Sequence, residues 1–570
     1  MTLFRFLKMG LLCVFMVGAP VSAQTEGTIS PALIELIQRY DRAASSGDQE
    51  TQSDMAAALL DARQELAGFF TEDEIADLYG SMAAALVEQQ EPALARRAIE
   101  LAVEINRSLV ERLESGEAVY TTLDIYAARE ALHARLMVLA DFQQRGDGAS
   151  LTNAALEEAQ ALYSEHLAPG EISLQTMGAG QAPVEEGSEP FEVVRVFFGT
   201  NREATGDDPN SAYSNNRGEL SYGVMEVSVP RNRTIGSIPR PSIGGEREGL
   251  HIVLRSIDRY EGEGFNGDLR AAISGAESER EEIFVYIHGH SVRFEDAARR
   301  TAQLAVDLDM RHGGVFYSWP TGNSFAAYQE SQNNVPVAAR RLARFLETVL
   351  AEANGADVHV IAHSMGNRVL LRAMERIYED PGTPLFAQVF WASPDVDAEN
   401  FSETLQEMPG IAQGMIAYTS GRDRALQVSR ALAGDYPRAG QSEPLPQIAA
   451  TITAVDTTSL SFGFLGHTDF ATSVIEDMQS VVWLSLAPEE RCMLALQEIE
   501  SGASFWRAID TNPACGRDAF RRAIRSVRFF GGEASTRINE AVASGQIPAE
   551  QLQDWENARD IAAQIEGIGR

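Results

Sequence analysis

The stretch DVHVIAHSMGNRVLLRAMERIY, residues 357–378, confines the fold more tightly than any other part of the chain. An apolar run of strand character ends at His363, Ser364 follows, and beyond Gly366 the apolar positions change to helical spacing. Val369, Ala373 and Ile377 form one stripe able to lie on a sheet. Asp380-Pro381 closes the helix, because a residue before proline is steered out of helical backbone. A strand that runs directly into a helix is the unit from which parallel sheets with crossovers are built.

Other segments agree. From residue 283 onward short β-rich runs alternate with helical stretches: IFVYIH, GVFYSW, DVHVIAH, AQVFWAS, GMIAYTS and IAATITAV. Earlier runs, FEVVRVFFGT, YGVMEVSV and LHIVLRSI, lack helices between them and predict antiparallel strands at one edge. The fold class is α/β, with a mostly parallel sheet of about eight strands. Ahead of it, residues 24–167 are alanine-rich with three- and four-residue apolar spacing throughout, which predicts an all-helical domain. Within that domain ADLYGSMAAALVEQQEPALARRAIELAVEI loosely resembles a tetratricopeptide hairpin, a generic helical bundle being the other reading. Residues 168–190 are rich in Gly, Pro and Glu and read as a linker, and residues 487–570 return to helical periodicity as a small appendage.

Residues 1–23 have the form of an export signal: Arg5 and Lys8, a mostly apolar run from Met9 to Val17, then Val21-Ser22-Ala23 as a small-residue cleavage site. That run is shorter than the roughly 20 residues that span a bilayer, so a mature chain beginning near Gln24 in the periplasm, or secreted, is expected. Only Cys492 and Cys515 would then remain, and an oxidising compartment lets them pair if the fold brings them together; two free buried thiols are the alternative. The formal charge of −35 repels nucleic acid and anionic membrane faces.

Ala362-His363-Ser364-Met365-Gly366 sets small residues two positions to either side of the serine, the pattern of a nucleophile elbow. The turn brings helix against strand, and bulk at either flank would clash. A serine hydroxyl needs an imidazole to take its proton and a carboxylate to orient that imidazole. His467, in FGFLGHTDF, is the sole histidine after Ser364. Asp423, in AYTSGRDRALQ, is the leading acid; Asp395 and Asp397, in SPDVDAENF, are the alternatives, although either could instead cap the helix starting near Ala398. An oxyanion would be met by the N–H of Met365 and by that of His290, the latter following the His288-Gly289 step in YIHGHSVRF.

From about Phe191 to Leu486 the chain resembles the alpha/beta hydrolases, in particular a poorly characterised bacterial esterase/lipase-like branch. The resemblance rests on FFGTNR, YIHGHSVRFEDAARR, FYSWP, VIAHSMGNRVL, ASPDVD, SGRDRAL and GHTDF. It implies a Ser364–Asp423–His467 triad acting on carboxylic esters, with no metal or organic cofactor and a small-molecule or lipid-like ester as substrate. A thioesterase, peptidase or acyltransferase could use the same groups. A reading from another class makes the helical domain a docking module for a protein partner and the second domain a scaffold.

Overall fold

The computed structural model describes residues 49–67, 71–88, 91–115, 125–146, 154–162, 189–231, 246–260, 264–274, 282–322, 328–379, 383–432, 434–442, 452–460, 474–498, 504–509, 515–544 and 551–567, with isolated positions at 33–40, 233–239 and 547. The expected signal segment and nearly all of the expected linker lie outside the described residues. Two compact units divide the chain, one made mainly of residues 1–167 and the other containing the sheet and everything from 467 to the C-terminus.

The first unit is helical: α1 (Gln49–Asp61), α2 (Glu72–Glu88), α3 (Pro92–Glu114), α4 (Ile125–Gly146) and α5 (Ala154–Leu162). Pro92 opens α3, where its missing N–H would have had no intrahelical acceptor. Ala95, Ala98, Ile99, Ala102, Val103, Ile105, Leu109 and Val110 recur at three- and four-residue spacing and are buried. Successive helices pack on one another, α2 on α3, α3 on α4 and α4 on α5.

The second unit is an α/β layer structure. Its strands are β1 (Phe191–Ala204), β2 (Tyr213–Pro230), β3 (Val253–Tyr260), β4 (Glu282–Ile287), β5 (Gly314–Ser318), β6 (Asp357–His363), β7 (Phe386–Ala392), β8 (Ala412–Thr419), β9 (Thr453–Asp456), β10 (Leu494–Glu498) and β11 (Ser504–Ala508). They form one sheet in the order β10-β11-β9-β8-β7-β6-β4-β5-β1-β2-β3. Pairing is parallel from β1 through β5, β4, β6, β7, β8 and β9 to β11. β1–β2–β3 at one side and β10–β11 at the other are antiparallel.

Along β4 the side chains alternate between two apolar layers. Ile283, Val285 and Ile287 enter a core shared with α6 (Gly264–Ser274), α8 (Tyr328–Ala353) and α9 (Gly366–Ile377). On β1 and β5, Phe198 and Phe316 meet Phe294 of α7 (Phe294–Asp307), ring centroids 5.0 and 5.4 Å apart. Burial on both faces is what makes the central strands continuously apolar. The remaining helices are α10 (Ala398–Gln406), α11 (Arg424–Leu432), α12 (Ile475–Leu484), α13 (Arg517–Phe530), α14 (Ala534–Ala543) and α15 (Leu552–Gly567).

Sequence and structure differ in strand number, about eight expected against eleven among the described residues. Two of the extra strands, β10 and β11, come from residues 487–570, which read as wholly helical; each has five residues, too short for its alternation to stand out beside the long helical periods that follow. Cys492, just ahead of β10, is joined by a disulfide to Cys515, just ahead of α13, with Cα atoms 6.0 Å apart.

Candidate active site

Ser364 sits where β6 turns into α9 and has a left-handed backbone, φ 54°. Its N–H donates to the Ala392 carbonyl (3.0 Å), and its carbonyl accepts from the N–H groups of Asn367 (3.1 Å) and Asp395 (3.2 Å). The Asn367 side-chain amide donates to the same carbonyl (2.9 Å) and to that of Ala392 (3.2 Å), pinning the turn to the end of β7. The small residues are steric requirements. A Cβ on Gly366 would stand 2.5 Å from the His288 carbonyl oxygen and 2.7 Å from that of Ile287. One on Gly289 would stand 2.7 Å from the Ser364 Cβ and 3.0 Å from the His363 oxygen. The loop after β4 thus lies directly against the serine.

That loop is held by a buried polar network. The backbone N–H of Trp319 donates to His288 Nε2 (3.1 Å) and the Trp319 indole N–H to the His288 carbonyl (2.8 Å). Nε2, being an acceptor, carries no proton, so Nδ1 carries it and donates to the Gly289 carbonyl (2.8 Å). Burial, reinforced by the positive charge of Arg202, keeps His288 well below the usual imidazole range and therefore neutral. Arg202, 1% exposed, donates from Nε to Ser318 Oγ (2.9 Å) and from Nη2 to the Val292 carbonyl (2.7 Å) and His288 Nε2 (3.4 Å). His290 bonds through Nδ1 with Ser331 Oγ (2.9 Å) and has its ring edge-on to Tyr328 at 5.5 Å.

The three aspartates have different surroundings. Asp397 is the N-cap of α10, accepting from the Asn400 N–H (3.0 Å), the capping job its position forecast. Asp395 is engaged by Tyr328 Oη (2.6 Å), Ser429 Oγ (2.5 Å) and Arg368 Nη2 (2.9 Å). Burial pushes its carboxyl up, but the Arg368 charge, these hydrogen bonds and Arg438 outweigh that and hold it below the ordinary range. Asp423 is fully buried four residues beyond the end of β8, where it accepts from the Leu426 N–H (2.9 Å) at the start of α11. His467 lies outside the described residues. Among the described residues, no cluster of three or more His, Cys, Asp or Glu is placed to hold a metal ion.

Residues 267–479 match the family described as alpha/beta hydrolase of unknown function (DUF900). The domain is an alpha/beta hydrolase. No curated protein matches the chain. Among solved structures, a phospholipase, PlaB from Legionella pneumophila in complex with thio-NAD, is 10% identical, covering 40% of this chain and 67% of its own, with a TM-score of 0.24. A likeness of that size carries no inference about activity.

Within the hydrolase domain, several site-proximal residues had no role assigned from sequence. Asn367 follows the elbow directly and could have been noticed, since an amide there is within reach of the turn it closes. Tyr328, Arg368 and Ser429 meet around Asp395 across three helices, and no local pattern marks such a meeting. Arg202 was visible as part of FFGTNR, but its contacts with His288, Val292 and Ser318 join residues 86–116 positions apart.

Proposed function

We propose that this hydrolase is an exported serine esterase acting on carboxylic esters through an acyl-enzyme. Ser364 Oγ attacks the acyl carbon while His467 takes its proton, Asp423 orienting the imidazole. The N–H groups of Met365 and His290 receive the negative oxygen of the tetrahedral intermediate. Its collapse breaks the ester C–O bond, His467 returning the proton to the departing alcohol. A water, deprotonated by the same histidine, then releases the acid and restores Ser364.

The observation that carries this reading is the left-handed backbone of Ser364 at a strand-to-helix turn, with Gly289 packed against its Cβ. The first is strained for a non-glycine residue, and the second sets the loop that carries His290 against the serine side chain. Asp423 is preferred as acid because it is fully buried just beyond the end of β8, whereas Asp397 is only half-buried and Asp395 is saturated by Arg368, Tyr328 and Ser429. Export is supported by the signal-like segment 1–23 and by the Cys492–Cys515 disulfide, which suits an oxidising compartment.

Labelling of the full chain with a fluorophosphonate probe tests the reading without a guess at the substrate. Wild type should label and Ser364→Ala should not; His467→Ala and Asp423→Asn should label at least about 100-fold more slowly, and Asp397→Asn within about twofold of wild type. A folded wild type that stays unlabelled, or esterase turnover that survives Ser364→Ala, overturns it. Mass analysis of exported protein should find an N-terminus at Gln24.

A further inference from the structure

Arg202 is a buried cation with an unusual set of partners. All its hydrogen-bond acceptors are neutral: Ser318 Oγ, the Ser214 and Val292 carbonyls, Asn215 Oδ1 and His288 Nε2. A buried arginine ordinarily bonds a carboxylate, since an unpaired charge away from water is unfavourable. Glu295 and Asp296 act on this one only through space. Such a group is kept where positive potential or rigid positioning is needed.

The partners define what is positioned. Arg202 comes from the end of β1, Ser318 from the end of β5, and His288 and Val292 from the loop after β4. Both N–H groups aimed at His288 Nε2, from Arg202 and from the Trp319 backbone, can only donate. They hold the imidazole in the tautomer whose Nδ1–H donates to the Gly289 carbonyl. That carbonyl and the N–H of His290 belong to one planar, conjugated peptide group. A donor on its oxygen polarises the N–H at the other end and fixes the plane in which it points.

We propose that Arg202 is a positioning residue for the oxyanion donor at His290, acting through the tautomer and orientation of His288; this rests on the serine-esterase reading above. Negative charge that develops on the substrate oxygen in the transition state is met by an N–H polarised along Arg202, His288 and the Gly289–His290 peptide. In the ground state the substrate carbonyl gains much less, so the effect falls on turnover rather than on binding.

The experiment uses the full chain, with p-nitrophenyl butyrate turnover and fluorophosphonate labelling read side by side on wild type, Arg202→Met and Ser318→Ala. For a folded Arg202→Met, kcat should fall about 10- to 100-fold with KM changed less than about threefold, and labelling should slow in parallel. Wild-type kcat in a folded Arg202→Met overturns the proposal, as does a loss confined to KM. If Arg202→Met fails to fold, Ser318→Ala decides. It removes the hydroxyl between Arg202 Nε and His288 Nε2 without emptying the site, and should lower kcat about three- to tenfold with KM held; wild-type kcat there overturns the proposal equally. Failure of the underlying reading looks different: wild type itself would neither label nor lose turnover on Ser364→Ala.

Discussion

Ser364 occupies backbone that disfavours an L side chain by roughly 1–2 kcal/mol, and glycine is free of that strain. Ser364→Gly should therefore raise the unfolding free energy by about 1 kcal/mol while abolishing fluorophosphonate labelling; chemical denaturation followed by circular dichroism checks it. His359, on β6, works in the opposite direction. Burial lowers its pKa to about 4, and neither ring nitrogen has a hydrogen-bond partner. The unfolded chain takes up that proton near the ordinary value of about 6.5, before the folded one does. Its neutral form thus contributes stability that is fully present above about pH 6.5 and is lost as pH falls toward 4, by about 3 kcal/mol in all. Burial lowers His133 and His288 too, with the same sign. Urea melts at pH 7.5 and 5 should differ less in His359→Leu than in wild type. At this scale the sequence was most readable where geometry is local. Ala362, Ser364 and Gly366 announce the turn because its steric demands fall within five residues. Arg202 and the Asp395 cluster were unreadable because their partners are far apart in the chain.

The element that differs most from expectation is the β10–β11 hairpin. β11 pairs in parallel with β9, at Trp506–Val455 and Arg507–Asp456, so the C-terminal segment extends the sheet beside the strand that precedes His467. The disulfide fastens this hairpin to the start of α13, whose Arg521 reaches Glu476 of α12 at 2.8 Å with both side chains buried. Arg491, next to Cys492, pairs with Asp477 of the same helix at 2.9 Å. Closing a loop 23 residues apart in sequence stabilises by about 3 kcal/mol through the unfolded chain. Reduction, or Cys492→Ser with Cys515→Ser, should lower the unfolding free energy of this domain by about that amount, and wild type without reductant should not show the loss. Strand order in the centre was foreseeable in kind, since strands alternating with helices must run parallel. The hairpin was not, because two five-residue strands take their identity from the sheet edge that receives them.

For the molecule as a whole, the formal charge of −35 means that compaction gathers like charges. Salt shortens the range of that repulsion, to a Debye length of about 3 Å at 1 M. Raising NaCl from about 10 mM to about 500 mM should therefore raise Tm, by about 2–4 °C for each kcal/mol of repulsion relieved, as read by differential scanning calorimetry. In the sequence, helical periodicity gives way to alternating periodicity across a stretch poor in apolar residues, whereas the helical unit also takes in residues 232–251 and 461–466, which no local pattern marks. Among the described residues the sheet of eleven strands also has two rims, β3 and β10. The rim of a sheet is a template on which another chain can lay a strand of its own. β3 carries Arg255, Asp258 and Arg259 along its eight residues, and β10 is only five residues long and ends in Glu498. Leu496, 48% exposed, is the one large apolar side chain left standing on either rim. The outermost strands thus govern something other than chemistry: whether neighbouring copies stay strangers.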